Sequence, residues 1–166
     1  MCPFEKVRKK IIFTLLFIVS AAFSAPTLAP DFNLTTTKGE KVSLDGYLKT
    51  QKPLLVYFTA SWCPTCAKNW PSINTVYQEY KDKVNFISIS IDPTDTNEVL
   101  EKLAKKHNLV FPMVSGQPKL MVDFGVTGQA TTIIVNKKGE ITFKQRGHIK
   151  LPEYKKLLND ALSSNE

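Results

Sequence analysis

Two cysteines separated by two residues are the side chains of this sequence most able to carry out chemistry. They lie in the run Trp62-Cys63-Pro64-Thr65-Cys66. On one helical turn, side chains three positions apart are neighbours, so the two thiols can close a small disulfide ring. A thiol reacts as its thiolate, and the free N–H groups and the dipole of a helix N-terminus stabilise that anion. The pair therefore predicts thiol–disulfide chemistry, with Cys63 as an exposed nucleophile.

The residues around the pair predict a strand followed by a helix. Residues 53–60 form a short apolar run rich in β-formers, which is typical of a buried strand. Pro64 suits the first turn of a helix, where its missing N–H costs nothing, and apolar residues recur at helical spacing as far as Tyr80. Pro64 and Thr65 are expected to tune the start of this helix. Trp62 is expected either to form part of a docking surface or to belong to the core.

Hydrophobic periodicity along the rest of the chain predicts strands and helices in one domain, without repeats or linkers. The fold class indicated is α/β, with a central mixed β-sheet flanked by helices and an N-terminal β-hairpin. The first two long strands should be parallel and the last hairpin antiparallel. The expected elements are a hairpin at 29–44, strands at 53–60 and 84–92, helices at 64–80, 95–107, 118–124 and 151–162, and a hairpin at 131–145. A segment at 110–113 is expected to be either irregular or a small strand.

The first 25 residues differ in kind from the remainder. Four basic residues up to Lys10 precede an apolar run from Ile11 to Ala25, which is the order of a secretory signal. The run is short for a bilayer-spanning helix, which needs about 20 residues. An uncleaved anchor is the alternative, because Pro26 disfavours cleavage after Ala25. We therefore expect a signal peptide or membrane anchor at 1–25, a folded domain at 26–166, and a periplasmic or other extracytoplasmic location.

The net charge of +7 overstates the basicity of the expected domain. Four of the 22 basic residues and one of the 15 acidic residues lie in residues 1–25, so the remainder carries +4. Its lysines are spread over the predicted helices and turns, without a dense basic stripe or interleaved aromatic residues. The composition therefore argues against a nucleic-acid partner.

Cysteine use also restricts the role of the pair. Of the three cysteines, Cys2 falls in the N-terminal segment, and a domain of this length can bury an adequate core without disulfide staples. A closed zinc site needs four ligands, and besides the pair the domain has only His107 and His148, both remote in sequence. Redox activity is thus favoured over half of a zinc site or an inert disulfide, and no cofactor or metal is expected. His148 is expected to be a surface residue.

Three segments of the chain resemble the thioredoxin superfamily, and more closely its TlpA-like extracytoplasmic thiol–disulfide oxidoreductases. They are residues 29–34 (Ala-Pro-Asp-Phe-Asn-Leu), the run 62–66 with Pro71 after it, and Gly125-Val126-Thr127-Gly128 leading into 131–135. The Cys-Pro-Thr-Cys sequence also looks like the DsbE/CcmG type of cytochrome c maturation reductase. The resemblance implies a thioredoxin-like fold and a reductant of protein disulfides. It also implies that Cys63 attacks, that Cys66 resolves, and that a membrane partner supplies the electrons.

The sequence departs from this family at positions near the expected site. Family members normally carry a cis-proline directly before the strand that faces the thiols, and this position is Ala130. A cis bond before another residue costs about 3–4 kcal/mol, so we expect a trans or otherwise adjusted backbone there. Asn69 stands where many relatives carry a glutamate, and Tyr57 where cytosolic thioredoxins carry a buried aspartate. Neither is an ordinary proton acceptor for Cys66. Ala130 and Thr131 are expected to border the substrate groove, with an ordinary strand position as the alternative for Thr131.

Two other families of thiol proteins are alternatives. Peroxiredoxins carry a threonine three residues before the peroxidatic cysteine, whereas this position is Ala60, with Thr59 one step too early. Copper-delivery proteins of the Sco type are the second alternative, since residues 90–93 (Ser-Ile-Asp-Pro) look somewhat similar. Those proteins place three residues between their cysteines and add a histidine before the late hairpin, where this chain has none. A thiol–disulfide oxidoreductase is therefore the leading interpretation.

Overall fold

The computed structural model of the protein describes residues 26–163. Residues 1–25, for which a signal peptide or membrane anchor is predicted, lie outside the described residues, as do the last three residues of the predicted domain. None of the helices between residues 26 and 163 has the length and apolarity needed to cross a bilayer.

The described residues form strands and helices in the order that the periodicity predicts, with one additional helix. In chain order they are β1 (Asn33–Thr35), β2 (Lys41–Ser43), α1 (Leu44–Lys49), β3 (Leu54–Thr59), α2 (Pro64–Tyr80), β4 (Asn85–Ser90), α3 (Asn97–His107), β5 (Met113–Val114), α4 (Pro118–Asp123), β6 (Thr131–Val135), β7 (Ile141–Arg146) and α5 (Leu151–Ser163). The predicted bounds of the helix after the cysteines are confirmed. The segment before α4 contains a two-residue strand, β5. Of the two alternatives expected there, the small strand is therefore the one observed.

Five strands form the central sheet in the order β5-β4-β3-β6-β7. β3 lies parallel to β4 and antiparallel to β6, and β6 pairs antiparallel with β7. The predicted mixed sheet, with a parallel first pair and an antiparallel last hairpin, is therefore confirmed, and β1 and β2 form the predicted N-terminal hairpin. Phe58 lies opposite Thr131, so the end of β3 and the start of β6 meet at the same edge of the sheet.

Alternate residues of β3 point to opposite faces of the sheet, and each face carries its own core cluster. Leu55 and Tyr57 pack with apolar residues of α2, α3 and α5. Leu54, Val56 and Phe58 pack with α1, α4 and the β1–β2 hairpin. Because all six residues of β3 are buried, the strand that leads to the cysteines is held on both sides by close packing.

Helix α1 is the element that the sequence pattern did not predict. The pattern predicts only a hairpin at 29–44, yet the chain enters a helix directly at Leu44. Ser43 is the N-cap of this helix, and its hydroxyl oxygen accepts a hydrogen bond from the Gly46 N–H at 3.0 Å. A helix of six residues that contains a glycine has too little periodicity to be recognised from sequence.

Candidate functional site

The two cysteines lie at the N-terminus of α2 and are joined by a disulfide. Cys63 is the N-cap residue, Pro64 lies in the first turn, and the Cα atoms of the two cysteines are 5.2 Å apart. The Cys66 N–H donates a hydrogen bond to the Cys63 Sγ at 3.0 Å. Such a contact at a helix N-terminus favours a thiolate at position 63. The arrangement predicted from the spacing of the cysteines is confirmed.

Both cysteines are shielded from solvent in this disulfide form. Cys63 is 3% exposed and Cys66 is fully buried, so the prediction of an exposed nucleophile is wrong here. The physical reason is that the Cys63 side chain turns back over the first turn of α2 to cap it, and it belongs to the same buried cluster as Ala130. Pro64 is exposed and Thr65 half-buried. Both lie in the first turn of α2, where the sequence predicts them.

A buried carboxylate holds the loop between β3 and α2. Asp95 is 2% exposed, and its Oδ2 accepts hydrogen bonds from the Ser61 N–H at 2.9 Å and from the Ser90 hydroxyl. β3 and β4 are parallel, so their carboxyl ends bring Ser61 and residues 90–95 to one edge of the sheet. Hydrogen bonds to a carboxylate are among the stronger ones in proteins. Asp95 thus holds the backbone two residues before Cys63.

Trp62 lies on the surface next to the disulfide. It is 59% exposed, so it does not belong to the core, which was one of the two expectations. Its indole N–H donates to the Asp92 Oδ2, and both the hydroxyl and the backbone N–H of Thr94 donate to Oδ1. These hydrogen bonds, that of the Thr94 hydroxyl first, lower the pKa of the Asp92 carboxyl. The indole is thereby oriented by one polar atom, and its role in docking stays a prediction.

Ala130 precedes β6 at the same edge of the sheet. No peptide bond between residues 26 and 163 is cis, and Ala130 has a φ of +60°, so the expected trans or adjusted backbone is confirmed. A residue with a Cβ in this left-handed region costs roughly 1–2 kcal/mol. The Ala130 carbonyl oxygen accepts a hydrogen bond from the Gly147 N–H at 2.7 Å. Thr131 begins β6, and its hydroxyl donates to the Gly128 carbonyl oxygen at 2.8 Å. The docking roles of Ala130 and Thr131 stay predictions.

Asn69, in the second turn of α2, uses both ends of its amide. It is fully buried. Its Oδ1 accepts from the Ile149 N–H at 2.9 Å and lies 2.9 Å from the His148 Nδ1. Its Nδ2 donates to the Gly147 carbonyl oxygen at 2.8 Å and to the Tyr57 hydroxyl at 3.1 Å. Because a backbone N–H can only donate, the atom facing Ile149 must be the oxygen, and the His148 Nδ1 must therefore carry a proton.

The polar side chains next to Asn69 are Tyr57 and His148. Burial raises the pKa of Tyr57 well above its usual range, so its hydroxyl is neutral at physiological pH. His148 is exposed, as predicted, yet its Nδ1 is held by the Asn69 amide. The site therefore contains a neutral amide at position 69 and a neutral phenol at position 57.

Sequence reasoning missed three residues of this site. Asp92 and Asp95 follow β4, whose carboxyl end lies beside that of β3, and this topology was the signal that could have found them. Gly147 has a φ of +123°, and a glycine just beyond a predicted strand is only a weak sign of such a backbone. In the part of the chain that the structure describes, no group of three or more His, Cys, Asp or Glu residues is placed to hold a metal ion.

Comparison with known proteins agrees with this geometry. Residues 26–144 match the model of the AhpC/TSA family. The chain belongs to the AhpC/TSA family. It is 30% identical over 132 residues to the thiol-disulfide oxidoreductase ResA of Geobacillus kaustophilus, an alignment that covers 78% of this chain and 74% of the relative. It is 31% identical over 119 residues to the sporulation thiol-disulfide oxidoreductase A of Bacillus subtilis, covering 70% of each chain.

A solved structure supports the same fold. The crystal structure of a thiol:disulfide interchange protein of the thioredoxin family from Chlorobium tepidum matches this AhpC/TSA family member with a TM-score of 0.75 at 24% identity. The match covers 85% of this chain and 99% of that one, so the predicted thioredoxin-like fold is confirmed. The named relatives and the disulfide identify the chain as a protein-disulfide oxidoreductase whose substrates are proteins with disulfides.

Proposed function

We propose that this AhpC/TSA family member reduces disulfides in substrate proteins, with Cys63 as the attacking residue and Cys66 as the resolving residue. The Cys63 thiolate attacks a substrate disulfide, forms an intermolecular disulfide and releases the first substrate thiolate. The Cys66 thiolate then attacks the Cys63 Sγ, closes the ring and releases the second substrate thiolate. Two electrons pass from the dithiol to the substrate, and these steps need neither a cofactor nor a metal.

The hydrogen bond at the Cys63 Sγ is the observation that carries this assignment. The Cys66 N–H lies 3.0 Å from that sulfur and would stabilise a thiolate at position 63. Cys66 is fully buried inside the first turn of α2. Cys63 is the N-cap residue and keeps a small exposed fraction of 3%, so a protein substrate meets it first, whereas Cys66 needs to reach only the neighbouring sulfur.

The docking surface is proposed to surround Cys63 on two sides. On the α2 side, Trp62 and Pro64 are exposed and Thr65 is half-buried. Across the same edge of the sheet, Ala130 and Thr131 lie where β6 begins opposite the end of β3. A polypeptide that lies between these residues would bring its disulfide to the Cys63 sulfur.

The direction of electron flow is proposed to be reduction, as the resemblance to TlpA-like proteins implies. Reduction potentials separate the two directions, since thioredoxin has a reduction potential of about −270 mV and the oxidant DsbA one of about −120 mV. We expect the Cys63–Cys66 couple to lie near the thioredoxin value, and both cysteines to react with an alkylating agent in cells. A potential near that of DsbA, or a pair that is oxidised in cells, would contradict the proposal.

We place this activity on the extracytoplasmic side of the membrane. The order of basic and then apolar residues in 1–25 supports export or anchoring through residues 11–25. The electrons would come from a membrane partner of the thiol-transfer type, and cytochrome c maturation would supply clients with Cys-x-x-Cys-His segments. A Cys66→Ser variant, which cannot resolve its intermolecular disulfide, should retain such partners in the membrane fraction. Recovery of the protein with cytoplasmic enzymes would contradict this location.

A further inference from the structure

Asn69 and Ala130, the two positions that depart from the TlpA-like pattern, are connected through Gly147. The Asn69 Nδ2 donates to the Gly147 carbonyl oxygen at 2.8 Å. The Gly147 N–H in turn donates to the Ala130 carbonyl oxygen at 2.7 Å. The buried Asn69 side chain of α2 therefore holds Gly147, which follows β7. Gly147 in turn holds Ala130, which precedes β6.

The backbone at both ends of this connection is unusual. Ala130 has a φ of +60° and Gly147 a φ of +123°. Few residues with a Cβ adopt a positive φ, and such a backbone persists where surrounding contacts hold it. A proline would fix its own φ near −65°, so the chain needs another way to restrain the position of Ala130.

The Asn69 amide has the properties that such a restraint needs. It is fully buried, and the bond from the Ile149 N–H to Oδ1 at 2.9 Å fixes which end of the amide faces Gly147. The Asn69 side chain thus forms hydrogen bonds with the backbone at residues 147 and 149. Both contacts span nearly eighty positions of sequence, so they set the distance between α2 and the loop that follows β7.

We propose that Asn69 is a positioning residue, which holds Gly147 and through it Ala130 in the geometry that receives a substrate polypeptide beside Cys63. This inference rests on the proposed reduction of protein disulfides. Asn69 does not touch the substrate. It acts by restraining the 128–131 segment, in which Ala130 occupies the position of the proline expected from the resemblance to TlpA-like proteins.

A second asparagine on the same helix provides a matched control. The Asn74 Nδ2 donates to the Asn108 carbonyl oxygen at 2.7 Å, and the Asn74 Oδ1 accepts from the Val110 N–H at 3.1 Å. Asn74 therefore holds the chain after α3 in the way that Asn69 holds the chain after β7. The Asn74 contacts involve neither Ala130 nor the cysteines.

The test compares Asn69→Leu with Asn74→Leu in the full-length protein. By amide hydrogen exchange, we expect Asn69→Leu to speed exchange of the Gly147 N–H by about 10-fold and to leave the Val110 N–H within about twofold. Asn74→Leu should show the reverse pattern. With insulin as the disulfide substrate, Asn69→Leu should raise KM roughly fivefold with little change in kcat, because only binding is lost. Asn74→Leu should leave both constants within about twofold.

Two results would overturn the proposal. One is unchanged Gly147 exchange in Asn69→Leu. The other is faster Gly147 exchange with an unchanged KM for insulin, which would show that the 128–131 segment does not receive the substrate. If Asn69→Leu does not fold, Gly147→Ala disturbs the middle of the same connection, because a residue with a Cβ is strained at a φ of +123°, and it must give the same rise in KM. A wild-type protein that does not reduce insulin would instead contradict the proposed function, whereas the exchange data would still report on the Asn69 restraint.

Discussion

On one side of the disulfide, carboxylates hold the chain, and on the other side an amide does. The acidic side consists of Asp92 and Asp95, which bind the Trp62 indole and the Ser61 backbone. The amide side consists of Asn69, which reaches Ala130 through Gly147. The contacts of Asp92 lower the pKa of its carboxyl, whereas the side chain of Asn69 is an uncharged amide. The comparison teaches that the two sides of the site hold the chain through different chemical groups, and that the Asp92 contacts are favoured by the charged form of its carboxyl.

The largest effect is expected from removing the sulfur that both sides surround. Cys63→Ser should lower insulin reduction to the uncatalysed rate, because Cys66, the other cysteine among residues 26–163, is fully buried in the first turn of α2. Cys66→Ser should instead accumulate an intermolecular disulfide with the substrate, since the resolving step is lost. Mass spectrometry under non-reducing conditions distinguishes the two variants. An intermolecular disulfide formed by Cys63→Ser would reverse the assigned roles.

A large loss of stability is expected on the acidic side. Asp95→Ala leaves the Ser61 N–H and the Ser90 hydroxyl without their acceptor, and a lost buried bond to a charged group costs about 1.5–3 kcal/mol. The control is Asp123→Ala, which removes an ion pair to Lys119 at 2.6 Å on the surface and should change the free energy of unfolding by less than about 1 kcal/mol. Urea unfolding of the oxidised proteins measures both. Equal effects of the two substitutions would show that Asp95 does not hold the loop.

A smaller effect of opposite sign is expected on the amide side. Ala130→Gly relieves the left-handed backbone but adds chain entropy to the unfolded state, so it should be neutral or stabilise by up to about 1 kcal/mol. Ala104→Gly, in the interior of α3, should destabilise by about 1 kcal/mol. Thermal unfolding under identical conditions compares the two. A loss of stability in Ala130→Gly as large as in Ala104→Gly would mean that Ala130 carries no strain.

The smallest effect concerns pH. The hydrogen bonds from Thr94 and Trp62 lower the Asp92 pKa, so the charged form is favoured in the folded protein. Their contribution is present above the ordinary aspartate pKa and is lost as the pH falls through the lowered folded value. Trp62 fluorescence should therefore change only below about pH 4. Asp92→Asn should abolish this transition, and a transition that persists in Asp92→Asn would assign it to another group.

The elements that carry the acidic side could be predicted from the sequence, but not its contacts. The strand at 54–59 and the helix at 64–80 follow from local signals, namely an apolar run, a proline in the first helical turn and helical spacing. The sequence predicts a helix at 95–107, and α3 covers Asn97–His107 with Thr96 as its N-cap. Local patterns could not show that the Asp95 carboxylate turns inward to the Ser61 N–H, because this contact depends on how β3 and β4 pair.

The contacts of the amide side could not be predicted from the sequence. The departures at Asn69 and Ala130 are visible in the sequence, but the contacts that connect them join α2 to a loop almost eighty residues later. No local pattern encodes such a contact. Alanine itself disfavours a left-handed φ, so the backbone at Ala130 could not be predicted from its residue type.

The central claim is that Cys63 and Cys66 form one reversible dithiol–disulfide couple, and a glutathione titration of the purified protein tests it most directly. Across a series of redox buffers, alkylation followed by mass spectrometry reports how many thiols are free. The account predicts that both cysteines change together, with the slope of about 30 mV per tenfold change that a two-electron couple requires. A pair that stays oxidised in every buffer, or two thiols that react with glutathione independently, would contradict the account.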